Sequence, residues 1–293
     1  ELFPRAIGWN PNGYLGFPHN QFYPPFFSYL VALLSFPLGL EVAFKLIVSL
    51  SILLLPFAFY FFARSFKLSE EQSLLFALLS LAFLTLPSNW FALAQLGANF
   101  DSTFVVGLIP NALGFTILLF YLSSVPKLKN KKYFIISTLL LSALVLTHLF
   151  SAIIAVLYSL SFFFVSLIQK ENTKLYIKHY LLSFLLTSFW SIPFLLKRNL
   201  SESAFIPFRI DFYLTIAIIL ICLLLAFFFY KKEYSFLPLS LFLLLLLLFF
   251  VIVHSLFIPL HTYRFILIIY IILLLLSSKL FRANLETSVD VQA

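Results

Sequence analysis

Residues 236–253 read FLPLSLFLLLLLLFFVIV and contain no charged side chain. At a rise of about 1.5 Å per residue, a helix of this length reaches across the hydrocarbon core of a bilayer. Lipid offers the backbone no hydrogen-bond partners, so an apolar segment of this kind crosses a membrane as a helix. The stretch therefore predicts an α-helical integral membrane protein.

The rest of the chain has the same character, with 62% hydrophobic and 10% charged residues in 293 and a mean hydropathy of +1.07. A soluble domain carries about 25% charged residues, so this chain has too little polar surface to dissolve. We expect one all-α transmembrane domain over residues 1–293, with about nine crossings. The predicted crossings are 42–63, 70–86, 109–125, 133–147, 149–169, 176–196, 212–230, 236–256 and 262–280.

Local signals predict how several of these segments begin and end. Residues 1–23 are turn-rich and are expected to form a loop. Pro24-Pro25 then opens a helix that ends near Phe36-Pro37, is too short to span, and is expected to lie along the interface or to re-enter the membrane. Ser69, followed by two glutamates and Gln72, predicts a helix N-cap. His148, between two apolar runs, is expected to mark the tight turn that joins them.

The distribution of lysine and arginine predicts the orientation, because cytoplasmic loops carry an excess of both. Nine crossings place thirteen basic residues on one side and six on the other. The thirteen are Arg64, Lys67, Lys127, Lys129, Lys131, Lys132, Lys170, Lys174, Lys178, Lys231, Lys232, Lys279 and Arg282. The chain is thus predicted to be a multi-pass cell-membrane protein with its N-terminal loop external and its C-terminus cytoplasmic. The basic loops are expected to meet acidic membrane lipids, and nucleic acid is excluded as a partner.

Polar side chains other than lysine collect on the predicted external side. They fall into four clusters, 18–25, 87–110, 197–211 and 254–264, which contain histidines, arginines, asparagines and Asp101. Cations, imidazoles and carboxylates at one bilayer surface suit a ligand with a charged head at the interface and a tail in lipid. Phosphate is the head group that arginine holds best, because the guanidinium binds it in a bidentate manner.

Simpler interpretations exist for the two most informative of these residues. Asp101 is equally consistent with an ordinary loop carboxylate, and Arg264 with a side chain that anchors the last helix by reaching to the interface. No metal signature is present, because the five histidines lack carboxylate or cysteine neighbours at ligand spacing. The sequence does not decide whether a divalent cation is needed.

Residues 16–30, GFPHNQFYPPFFSYL, resemble the first external loop of GT-C-type membrane glycosyltransferases. The resemblance is greatest to the prokaryotic branch described as 6-pyruvoyl-tetrahydropterin synthase-related membrane proteins, in which a tyrosine–proline segment leads into a short helix. Further matches are Gly107 to Leu113 at the start of a helix, Thr147-His148 at a turn, and Tyr263-Arg264-Phe265 at the start of a late helix.

This resemblance implies an inverting transfer of a sugar from a polyprenyl-phosphate donor to an external acceptor. It implies a carboxylate base, for which Asp101 is the candidate, and substrate contacts whose members are His19, Tyr23, Asn99, Arg198, Arg209, His261 and Arg264. Of these, Arg198, Arg209, His261 and Arg264 would hold the departing phosphate, and His19 and Tyr23 would contact the acceptor or the sugar. The family usually places its key acidic residue directly after its first helix. Either Glu1 is a remnant of that region, or the catalytic carboxylate and a first helix lie upstream of Glu1; Asp101 is the next candidate. The sugar and the acceptor stay open.

Two other classes of function are consistent with the same composition. A transporter or flippase of lipid-linked or small solutes would need charges near the bilayer midplane, and the sequence offers almost none, which favours the enzyme. A non-catalytic scaffold with membrane-protein partners is the third reading. A lateral external cavity lined by Asp101, His261 and Arg264 would distinguish the enzyme from both.

Overall fold

A computed structural model describes residues 8–10, 17–84, 100, 103–104, 107–197 and 237–255. Within these ranges the chain is helical apart from one short hairpin and the connecting turns. The elements are β1 (Gly8–Asn10), β2 (Phe17–His19), α1 (Phe26–Leu38), α2 (Leu40–Leu53), α3 (Leu55–Ser65), α4 (Glu70–Leu84), α5 (Ile109–Ser124), α6 (Lys131–Thr147), α7 (Leu149–Ile168), α8 (Lys174–Lys197) and α9 (Leu237–Ser255).

The predicted crossings that fall on described residues are helical, and the helical membrane class is therefore confirmed. Among the described residues, four helical paths are long and apolar enough to cross a bilayer: Leu40–Ser65, Ile109–Lys127, Leu149–Ile168 and Lys174–Lys197. The predicted crossings 212–230 and 262–280 lie outside the described residues. The total of nine crossings stays a prediction.

The predicted crossing 42–63 consists of two helical segments, α2 and α3, which meet at Leu54. Pro56 lies in the first turn of α3, where its missing backbone N–H interrupts the ladder of hydrogen bonds that a continuous helix requires. Both segments remain on one apolar path of 26 residues. The candidate crossing therefore consists of two helices joined at Leu54.

Three local predictions are confirmed. Ser69 Oγ accepts from the backbone N–H of Gln72 at 3.3 Å, and Gln72 Oε1 accepts from the N–H of Ser69 at 3.1 Å, a reciprocal capping box. His148 is the single extended residue between α6 and α7. The short helix after Pro24-Pro25 is α1, which ends at Leu38, whereas its location relative to the membrane stays a prediction.

The N-terminal segment contains a short antiparallel hairpin, which the sequence did not predict. Strand β1 pairs with β2 in the register Gly8 to His19, Trp9 to Pro18 and Asn10 to Phe17. The residues between the strands, 11–16, lie outside the described residues. The hairpin leads directly into the turn before α1.

Helix α5 lies at the centre of the described bundle and packs against α2, α3, α6 and α7. Buried aromatic and leucine side chains fill this contact, among them Phe62, Leu118 and Tyr158. Hydroxyl groups join the helices as well: Thr116 Oγ1 donates to the carbonyl of Ser51 at 2.6 Å. Interhelical hydrogen bonds of this kind suit a medium that supplies no water.

Helix α8 shows the surface that lipid is expected to cover. Leu185 and Phe189 on this helix are exposed, and 79% of Leu196 is accessible. An unbroken apolar face of this kind on a helix of 24 residues is typical of a membrane-spanning segment.

The bundle has two chemically different ends. Lys129 Nζ lies 2.7 Å from Glu171 Oε1, and this ion pair joins the α5–α6 loop to the α7–α8 loop. Both residues line a cavity to which Lys67, from the α3–α4 loop, also contributes. We call this the lysine-rich end. Because α5 and α6 are antiparallel neighbours, His148 lies at the opposite end. The predicted grouping of these three basic loops on one side is confirmed, whereas the side of the membrane that they face stays a prediction.

Candidate functional site

The segment from Asn20 to Pro25, here called the tyrosine–proline segment, is fixed to the bundle at the end opposite the lysine-rich end. The indole Nε1 of Trp190 donates a hydrogen bond to the carbonyl of Asn20 at 2.8 Å. Trp190 is fully buried in α8 and stacks on Phe194 with 4.9 Å between the ring centroids. Asn20 adopts a left-handed backbone with φ of 57°, which asparagine tolerates better than most residues. The chain is therefore held in one place as it enters α1.

Gln21 is the most unusual residue of this segment. Its side chain is 3% exposed, and within the part of the chain that the structure describes its amide Nε2 has no hydrogen-bond partner. Leaving such a donor buried without a partner costs about 1–3 kcal/mol. An unsatisfied buried group in a folded protein calls for an explanation, and an absent ligand is one.

Two neighbouring groups extend the polar character of this end. Tyr23 is 56% exposed, so its phenol is accessible at the protein surface. Ser191 follows Trp190 in α8, and its buried Oγ has no partner among the described residues. The segment thus offers both an accessible phenol and buried hydrogen-bonding capacity.

His148 has a structural role in the described chain. Its Nδ1 accepts from the backbone N–H of Ser151 at 3.3 Å and lies 2.9 Å from the hydroxyl of Ser151, so it caps α7. Gly114 of α5 lies against it, because a Cβ added at Gly114 would come within 2.7 Å of the His148 Cβ. The interpretation of His148 as a turn residue is confirmed.

A buried polar network that the sequence reasoning missed joins three helices around His179. Thr138 Oγ1 donates to the Phe134 carbonyl at 2.8 Å, so it accepts from His179 Nδ1 at 3.0 Å. His179 Nε2 then accepts from the Tyr121 hydroxyl at 3.1 Å. The available signal was a histidine within the predicted crossing 176–196. Both ring nitrogens of His179 have a partner on a neighbouring helix, so the network serves as an interhelical link.

Most of the residues predicted to form the site lie outside the described part of the chain. These are Asp101, Asn99, Arg198, Arg209, His261 and Arg264. The backbone of His19 ends β2 opposite Gly8. Tyr23 is thus the one predicted substrate contact whose side chain the structure describes. The carboxylate base and the phosphate-binding group stay predictions.

The described ranges contain no evident binding site for a divalent cation. Among residues 8–10, 17–84, 100, 103–104, 107–197 and 237–255, no three side chains of histidine, cysteine, aspartate or glutamate are grouped as a metal site would need.

Comparison with known families adds to this geometry. The model of the 6-pyruvoyl-tetrahydropterin synthase related domain, a membrane protein family, matches residues 20–291. The chain belongs to this family. For this 6-pyruvoyl-tetrahydropterin synthase-related membrane protein, the match begins at Asn20, the residue whose carbonyl Trp190 binds. No curated protein and no solved structure matches the chain.

Proposed function

We propose that this chain is a membrane glycosyltransferase that moves a sugar from a polyprenyl-phosphate donor to an acceptor on the non-cytoplasmic face. The observation that supports it best is the tyrosine–proline segment, which Trp190 fixes to the bundle with Tyr23 exposed and the Gln21 amide buried without a described partner. Sugar hydroxyls are hydrogen-bond acceptors as well as donors, and a preplaced amide donor matches them. The resemblance of residues 16–30 to the first external loop of GT-C enzymes points in the same direction.

The proposed chemistry is an inverting substitution at the anomeric carbon of the sugar. The acceptor oxygen forms a bond to this carbon while the bond to the phosphate oxygen breaks. Asp101 takes the proton of the acceptor hydroxyl, and the lipid phosphate leaves with the electron pair of the broken bond. Arg198, Arg209, His261 and Arg264 would stabilise the charge that develops on this phosphate.

The first test uses the full-length protein in membranes, supplied with labelled polyprenyl-phosphate sugars. We expect Arg264→Ala to abolish transfer without loss of expression, whereas Lys131→Ala at the lysine-rich end, as the control, leaves transfer intact. Undiminished transfer by Arg264→Ala would remove this arginine from the site. Movement of the intact donor across a proteoliposome membrane without any transfer would instead indicate a flippase.

A second test concerns Gln21. Gln21→Met keeps the length of the side chain but removes the buried donor, so we expect kcat/KM for transfer to fall about tenfold, the loss of one hydrogen bond of about 1.4 kcal/mol. The melting temperature should stay equal or rise, because an unsatisfied donor disappears. A fall in both activity and melting temperature would indicate that Gln21 supports the fold and not the substrate.

A further inference from the structure

A cavity of about 280 Å³ lies at the lysine-rich end, far along the helices from the tyrosine–proline segment. Three loops contribute charged side chains to its lining: Lys67, Lys129 and Glu171. Phe66 and Phe162 supply an apolar part of the same wall. The cavity therefore combines cations with an apolar surface at the level where helices give way to loops.

The charges of this cavity do not cancel. Lys129 Nζ donates to Glu171 Oε1 at 2.7 Å, and this bond lowers the pKa of the Glu171 carboxyl below its usual range, so the pair is ionised and mutually neutral. Among the described residues Lys67 has no ion-pair partner. Within the described part of the chain, one positive charge on the cavity wall is therefore left without a compensating carboxylate.

The surroundings reinforce this charge. The described loops and adjoining helix turns at this end carry a net charge of +6, from nine cations and three carboxylates. The cations are Arg64, Lys67, Lys127, Lys129, Lys131, Lys132, Lys170, Lys174 and Lys178, and the carboxylates are Glu70, Glu71 and Glu171. An anionic ligand would enter a positive potential here, whereas a cation would be repelled.

The backbone of Lys67 adopts a conformation that lysine disfavours. Lys67 has φ of 60° directly after α3, at a position where glycine is favoured, and its N–H donates to the Arg64 carbonyl at 3.1 Å. Lys170 occupies the equivalent position after α7 with φ of 55°, but it does not line the cavity. Lys67 and Lys170 thus have the same charge and the same left-handed backbone, but only Lys67 lines the cavity.

We propose that this cavity binds the phosphate of an anionic membrane phospholipid, with Lys67 as the principal contact. The uncompensated ammonium group complements the phosphate, and the wall at Phe66 and Phe162 complements the glycerol and the first methylene groups of the lipid. Basic pockets between membrane helices on the cytoplasmic side bind such head groups. The proposal goes beyond glycosyl transfer, since it concerns the other end of the bundle and another ligand.

Native mass spectrometry of the detergent-purified full chain tests it, with phosphatidylglycerol and phosphatidylcholine as probes and inorganic phosphate as a competitor. We expect phosphatidylglycerol to bind more tightly than phosphatidylcholine. Lys67→Gly should weaken phosphatidylglycerol about fivefold, the contribution of one lysine near a lipid phosphate. Its melting temperature without lipid should not fall, because glycine relieves the left-handed strain.

Lys170→Gly is the matched control, since it relieves the same strain and removes the same charge outside the cavity. It should change phosphatidylglycerol affinity less than about twofold. Equal losses in the two variants would overturn the proposal in favour of a diffuse surface charge. Equal affinity for the two lipids, or full displacement of phosphatidylglycerol by inorganic phosphate, would also overturn it.

Discussion

At the scale of single residues, the hydrogen bonds around His179 define which of its ring nitrogens donates. The Thr138 hydroxyl is committed to the Phe134 carbonyl, which fixes the proton of His179 on Nδ1. The histidine is thereby a neutral bridge between α5, α6 and α8. Its value lies in joining helices where water cannot satisfy the same groups.

This bridge leads to a prediction by double-mutant cycle. We expect His179→Phe to lower the free energy of unfolding by about 1–3 kcal/mol, because Tyr121 and Thr138 lose a buried partner. Thr138→Val should cost less, and the double variant should lose less than the sum of the two, since they share one hydrogen bond. Thermal or denaturant unfolding in detergent measures all three. Strictly additive losses would mean that the Thr138–His179 bond contributes nothing.

A second prediction at this scale concerns Gly114. The added methyl group of Gly114→Ala would overlap the Cβ of His148, which cannot rotate away, so α5 must shift from the α6–α7 turn. We expect a loss of about 1–3 kcal/mol in unfolding free energy, typical of overpacking. Ser123→Ala on the same helix loses only a local bond to the Phe120 carbonyl and serves as the control. Similar stability of the two alanine variants would argue against the close approach.

At the scale of elements, the capping box at the start of α4 shows how a local signal defines a helix end in this chain. The side chain of each of Ser69 and Gln72 accepts a hydrogen bond from the backbone N–H of the other. These N–H groups at the start of a helix have no acceptor within the helix itself. The box therefore fixes α4 relative to the Lys67 turn that precedes it.

We expect Ser69→Ala to lower the unfolding free energy by about 1 kcal/mol, because one N–H at the start of α4 loses its acceptor. Gln72→Glu is the matched control, since glutamate accepts the same bond from the Ser69 N–H. Differential scanning fluorimetry of the purified variants measures both. Equal melting temperatures for Ser69→Ala and the parent chain would show that the box does not stabilise α4.

At the scale of the whole molecule, the two ends of the bundle differ in charge and in anchoring. The lysine-rich end gathers three basic loops around one cavity, and the opposite end holds the tyrosine–proline segment against Trp190. The excess of basic residues predicts that the first of these ends faces the cytoplasm.

Cysteine labelling in intact cells tests this orientation. In a Cys222→Ser background, a membrane-impermeant maleimide should label Tyr23→Cys but not Lys131→Cys, both of which replace exposed side chains. Permeabilised cells should show labelling of both variants, which controls for accessibility. Labelling of Lys131→Cys in intact cells would show that the lysine-rich end faces outward. The proposed transfer reaction would then lie on the cytoplasmic face, against the proposal.

The sequence alone determined the helical membrane class, the cap at Ser69, the turn at His148 and the grouping of the basic loops, because hydropathy, capping and charge are local or additive properties. The tertiary structure decided what distant residues do together. Trp190 binds Asn20 across 170 positions of the chain, His179 joins three helices, and Lys67 approaches the Lys129–Glu171 pair. No local pattern encodes such contacts, since they exist only once the helices pack.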